Sequence, residues 1–511
     1  MIMNDDIYIL ENGVRYLLDK VSHTASVAAS ADGEYKGNVV IEPQICYNGK
    51  LFSVTNIEDY AFSECKELIS VLIPDSIQTI GFQAFYDCST LTTIAIPDSV
   101  TSIGYKAFHN TPWHDNQADG VIYCNKVLYA YKGKMPSNTD IIVKQGIVSI
   151  SAVAFQDCTG LNTIAIPDSV TMIGYHAFAG CTNLLSITMP ANLTSIGLCA
   201  FAGCTSLNSI IIPYGITEIE DYVFFDCNRL SSITIPDSVT CIAEGAFYSC
   251  SALTHIVIPN SVTDIGENAF RDCSGLISIT IPNSVTTIGF RAFEDCTGLT
   301  SIVLSNSITE LDGETFHNTA WYNNQPNGAV YLNNVLYAYK GEIPPKTTIA
   351  IKHGTTCIGG RAFYHQTGLT AISIPDGVMH IGSSAFFGCS NLTSIIISNG
   401  ITSIGAYAFS DCTGLTSITI PNSVTKIGEG AFYGCTGLTS ISLPDSVTSI
   451  EVDAFENCTG LVSITLPQTP PFTDYDFSSC NNLQTIYIPR GMTETYCQMG
   501  LEKLRDNIVE V

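Results

Sequence analysis

The chain has 511 residues with 47 acidic against 21 basic side chains, a formal charge of −26, and no basic stripe for nucleic acid or an anionic membrane surface. Its 20 cysteines include no C-x-x-C pair, so neither a zinc ribbon nor a thioredoxin-type site is expected. The opening MIMNDDIYILENGVRYLL reads as no signal peptide, and no apolar run approaches the roughly 20 residues of a membrane-spanning helix.

Residues 1–60 alternate apolar and polar side chains without a longer period, which predicts an N-terminal β-cap. A unit of 23 residues then recurs, one copy being LNTIAIPDSVTMIGYHAFAGCTN at 161–183. Its phenylalanine returns from Phe62 to Phe477 in steps of 23, apart from two of 47 and a last one of 22. A fixed period of this length with an L-x-x-I-x-I start predicts a leucine-rich-repeat solenoid over residues 61–485. Leu161, Ile164 and Ile166 turn inward from a short strand that Pro167 ends, because proline cannot donate to the ladder. Val170 and Ile173 point inward from a second short stretch. Ala177, Phe178 and Cys181 then form the inward face of one helical or 3₁₀ turn. Fourteen cysteines stand three residues after a repeat phenylalanine, as small buried apolar side chains stacked coil over coil.

The two 47-residue steps hold matching insertions near 110–145 and 318–353, which carry the only tryptophans, Trp113 and Trp321. Alternating residues around Val121–Tyr131 and Val330–Tyr339 predict an extra β-hairpin in each. The tryptophans are expected to pack over the coil edge, with ligand contact as the alternative. Residues 486–511 predict a short helical cap at the other end.

No metalloprotease, P-loop, dinucleotide or nucleophile-elbow motif occurs, and the nine histidines are scattered. Catalytic, cofactor-binding and metal-ligating residues are therefore not expected, and the chain reads as a non-enzyme. Recognition should lie on the surface. Between the two inward isoleucines of the strand, the outward position is apolar at Ile211, Val257, Val303 and Ile396, points available to a partner. A second set, Tyr175, Tyr222, Phe290 and Tyr407, lies beside the repeat glycine and could form a recognition stripe.

The unit L-x-x-I-x-I-P-x-S-V-T-x-I-G-x-x-A-F-x-x-C, repeated from about residue 50 to residue 490, resembles the BspA-like, or Treponema pallidum-type, leucine-rich repeat. The V-L-Y-A-Y-K-G hairpins and the I-Y-I-P-x-G ending are similar to members from Bacteroidetes. The resemblance implies a cell-surface or secreted adhesin, a monomer without cofactor, that binds host extracellular-matrix, mucosal or microbial surface proteins. An intracellular interaction scaffold is the alternative, which the missing signal peptide favours.

Overall fold

The computed structural model describes residues 6–30, 35–311, 313–470, 477 and 479–511. It divides into two units, Met1–Val257 and Ile258–Val511, and each is a β-solenoid. Successive coils pair in parallel register one repeat apart: Ile210 lies opposite Ile233 in the first unit, and Ile441 opposite Ile464 in the second. The inward isoleucines close the core from the strand side while the alternate positions stay exposed, as the two-residue period of a strand requires.

The opposite side of the coil is a run of tight turns closed by the i to i−3 hydrogen bonds of the 3₁₀ form, the second of the two expected, and not by an α-helical turn. Ala177, Ala179 and Cys181 donate to the carbonyls of Gly174, His176 and Phe178 three residues earlier, at 3.1–3.2 Å. The intervening N–H groups leave the coil. Those of His176, Phe178 and Gly180 donate to the carbonyls of Leu198, Ala200 and Ala202 on the next coil, at 2.7–2.9 Å. Left-handed backbone at His176 (φ 52°) and Gly180 (φ 72°) brings this alternation about. An α-helix would satisfy the same groups internally and leave the coils unconnected on this side.

The phenylalanines stack into spines. Neighbouring rings lie 4.9 Å apart and 3° from parallel at Phe62 and Phe85, and 5.3 Å and 0° at Phe386 and Phe409. Many ladder cysteines do more than fill space. The thiol of Cys204 donates to the Phe178 carbonyl at 3.2 Å, and that of Cys435 to the Phe409 carbonyl at 3.0 Å. Desolvation holds these thiols protonated: burial pushes Cys389 and Cys458 up to about 12. One departs from the expected burial. Cys158 is half-buried, because the coil before it carries Thr111 and the first insertion in place of a regular neighbour.

At the start of the chain, strands Ile7–Glu11, Val14–Asp19 and Thr24–Val27 form an antiparallel meander. Thr24–Val27 pairs in parallel with Lys50–Ile57, whose inner residues belong to the same core cluster as Phe62. Tyr35 completes the spine at this end, 4.7 Å from Phe62. At the other end the expected short helical cap is present: the helix Thr493–Tyr496 continues through kinked helical turns, Cys497–Leu501 and Glu502–Asn507. The chain then finishes as a strand, Ile508–Glu510, paired in parallel with Thr485–Ile488. The strand is an addition to the expected helical cap, and it gives the backbone edge of Thr485–Ile488 a partner that the helix does not supply.

Candidate functional site

Each insertion opens with a short helix, Pro112–Asp115 or Ala320–Asn323, which the sequence reading missed. Thr111 and Thr319 stand where the ladder cysteine would be. Their hydroxyls accept from His114 and Tyr322 N–H at 3.1 Å and donate to the Phe108 and Phe316 carbonyls at 2.7 and 2.8 Å. A threonine followed by a short helix former is the N-cap signal that would have located them. The predicted hairpins follow, pairing Gly120–Cys124 with Val127–Lys132 and Gly328–Leu332 with Val335–Lys340. Asn125 and Asn333 turn them with φ near 50°.

The hairpin replaces what a regular coil would provide. In regular coils such as those of Phe85 and Phe178, the phenylalanine N–H donates to a carbonyl of the next coil, Ala107 and Ala200, at 2.7 and 2.8 Å. Here the Phe108 N–H donates to the Tyr129 hydroxyl at 3.1 Å, and the Phe316 N–H to the Tyr337 hydroxyl at 2.9 Å. Trp113 and Trp321 take the place of the next stacked ring, 4.7 Å from Phe108 and 6.0 Å from Phe316. Both are half-buried and cover the coil edge, so only the outer part of each ring is open to a partner. Lys132 and Lys340 each place an ammonium on three carbonyls around the end of the short helix, at 2.6–3.3 Å and 2.7–3.0 Å.

The aromatics beside the repeat glycine do not form one stripe. Tyr175 is 37% exposed and packs edge-on against Tyr105 at 6.4 Å. Phe290 lies under two guanidinium groups, with Arg291 at 4.6 Å and Arg361 at 5.3 Å from its ring centre. Tyr222 and Tyr407 sit one residue later in the repeat, in left-handed backbone, and donate their hydroxyls to the Glu244 and Glu429 carboxylates. That bond first, then burial, pushes Tyr407 up to about 12. Gly245 and Gly430 lie on the following coils, where a Cβ would meet the tyrosine ring at 2.3 Å, so each glycine makes room for its neighbour's ring.

The strand positions are different. Ile211, Val257, Val303 and Ile396 are 70, 81, 55 and 66% exposed. Ile211 stands opposite Thr234, Val303 opposite Thr280 and Ile396 opposite Ser373, so these three apolar points each have a hydroxyl beside them, while Val257 lies outside the described strands. Leu72 and Ile142, at the same repeat position, are 60 and 82% exposed and were overlooked. Counting thirteen residues back from Phe85 and Phe155 would have found them. Serines one pleat away, including Ser209, Ser232, Ser417 and Ser440, are exposed too. Chemically, each unit presents exposed apolar points set among hydroxyls. Among the described residues no group of three or more His, Cys, Asp or Glu could hold a metal ion, and no helix is long and apolar enough to cross a membrane.

This chain is similar to solved structures of bacterial leucine-rich-repeat proteins. A leucine-rich cell surface protein from Faecalibacterium prausnitzii is 26% identical, over 90% of this chain and 94% of that one, with a TM-score of 0.28. A leucine-rich repeat protein from Bacteroides ovatus is 25% identical, over 98% and 99%, with a TM-score of 0.29. The leucine-rich repeat protein of T. pallidum is 20% identical, over 58% and 87%, with a TM-score of 0.17. Among curated proteins none matches. The family model of the BspA type leucine rich repeat region matches residues 52–117, 128–253, 217–325, 336–424 and 402–499, and the chain therefore belongs to the BspA-type leucine-rich-repeat family.

Proposed function

We propose that this chain is a non-catalytic protein-recognition solenoid, displayed at a cell surface or secreted as an adhesin for host matrix, mucosal or microbial surface proteins. The observation that carries the reading is the exposed apolar row at the outward strand position, with Ile142, Ile211 and Val257 each at least 70% exposed on a polar strand face. Isolated exposed apolar residues need no explanation, but recurrence at one repeat position aligns them on a rigid strand face. Membership of the BspA-type family supports the same class of function. The net negative charge keeps such a module soluble.

The test is direct. Ile211→Asp and Val257→Asp together should weaken binding to a matrix or mucosal partner by more than about tenfold and leave the fold cooperative. Unchanged affinity removes the strand face. Antibody labelling of intact against permeabilised cells tests the location; signal only after permeabilisation turns the search to intracellular partners.

A further inference from the structure

A cavity of about 260 Å³ opens beside the first insertion, with Tyr105, Lys106, His109, His114, Tyr131 and Val153 in its wall. Lys106 and Lys132 are the charged side chains that line it, and no carboxylate does. The Lys132 ammonium is held by three backbone carbonyls. Lys106 lies 4.9 Å from the centre of the Tyr105 ring, and its ammonium is favoured by a hydrogen bond with that side chain. Burial, followed by Lys106 and His114, holds His109 below the usual imidazole value, so it is a neutral hydrogen-bonding group at pH 7.

The second insertion shows what the first lacks. The residue 208 positions after Lys106 is Glu314, and the one 208 after Val153 is Arg361. Arg361 Nη1 meets Glu314 Oε1 at 2.7 Å, and its guanidinium also covers the Tyr364 ring at 4.8 Å. The second region therefore supplies both charges from its own side chains. The first has a cation, Lys106, at the place of Glu314 and a short apolar side chain, Val153, at the place of Arg361, so this ion pair is absent and space is left beside Tyr105 and Tyr131. Lys106 makes no ion pair among the described residues.

We infer that this cavity binds a carboxylate-bearing sugar unit of a glycan. Its volume is below that of a pocket for a drug-sized ligand and suits one sugar ring. The carboxylate meets Lys106, the ring's C–H face lies against Tyr105 and Tyr131, and His109 and His114 meet its hydroxyls. An acidic peptide side chain would satisfy Lys106 alone and leave the rings and imidazoles uncontacted. None of the exposed strand residues takes part, so this site stands apart from the protein-recognition proposal.

The experiment titrates the full chain with glucuronate, glucose and glutamate, following Trp113 fluorescence in a Trp321→Phe background. Glucuronate should bind at least tenfold more tightly than either of the other two. The pair Lys106→Glu and Val153→Arg, which copies the second insertion, should lose that affinity at least tenfold, and Val153→Ala should keep it. Lys106→Met provides the same loss if the double variant does not fold. Equal binding of glucose, or no glucuronate binding up to about 10 mM, overturns the site. Glutamate binding as tightly as glucuronate overturns the sugar and assigns the cavity to an acidic peptide.

Discussion

The two insertions share one frame and differ in how the frame is finished. Both use a threonine cap, a tryptophan against the last stacked phenylalanine, a tyrosine hydroxyl under its N–H and a lysine on the helix carbonyls. Around the second, Glu314 binds both Arg291 at 2.6 Å and Arg361 at 2.7 Å, while Glu294 meets Arg271 at 3.0 Å and Arg291 at 3.3 Å. The corresponding places around the first hold Lys106, Gln83, Val153, Tyr86 and Ser63. Aromatic contacts run there instead, from Tyr60 to Phe82 at 5.2 Å and on to Tyr105 at 5.7 Å. A duplicated segment thus preserves what terminates the core and varies what faces solvent, because the buried N–H and the exposed ring edge do not tolerate change equally.

The largest test of that shared frame is the ring itself. Phe108→Ala and Phe316→Ala should each cost about 3–5 kcal/mol in urea unfolding, since each removes a fully buried ring that also supports a tryptophan. A marked difference between the two would mean that the hairpins do not close the core in the same way. Next, Tyr129→Phe and Tyr337→Phe should each cost about 1–3 kcal/mol with little change in packing, because the Phe108 and Phe316 N–H groups lose their acceptor. Amide exchange at those two N–H groups should speed up selectively.

The difference between the regions predicts smaller effects. Arg361→Ala should cost about 0.5–1 kcal/mol in low salt, and 1 M NaCl should remove most of that cost. Val153→Ala at the matching place should show no salt dependence. The smallest effect concerns pH. His380, whose counterpart 208 residues earlier is Met172, has its pKa lowered by burial, against a weaker opposing influence from Glu310. A depressed imidazole pKa means that the unfolded chain takes up the proton first. Its contribution to stability is present above the ordinary value of 6.5 and lost as pH falls through the folded value. His380→Gln should flatten the urea midpoint between pH 7.5 and 5.0 relative to the parent, whereas Met172→Gln should leave that slope unchanged.

Much of this was legible in the chain. Phe178, Cys181 and the L-x-x-I-x-I strand announce themselves by period, since every coil must bury the same face against the next. The alternation around Val121 and Val330 located both hairpins, and the position of Ile211 between two inward isoleucines placed it outside. Less could be read at the turn. A helix and a pair of tight turns can share the spacing of Ala177, Phe178 and Cys181, and only the hydrogen bonds to the next coil separate them. Tyr222 and Tyr407 were grouped with Tyr175 and Phe290 because all lie near the same turn. Left-handed backbone gives the first two a separate place and a carboxylate partner.

By itself, then, the sequence determined the period, the inward face, the two interruptions and the family, because all of these are local or repeat at a fixed distance. The tertiary structure alone decided that Tyr129 and Tyr337 stand in for a carbonyl and that a thiol serves the preceding phenylalanine. It also decided that Arg361 fills a space which Val153 leaves open. Those contacts join residues 21 to 47 positions apart, as from Phe108 to Tyr129 and from Glu314 to Arg361, and folding is what brings them within hydrogen-bonding reach.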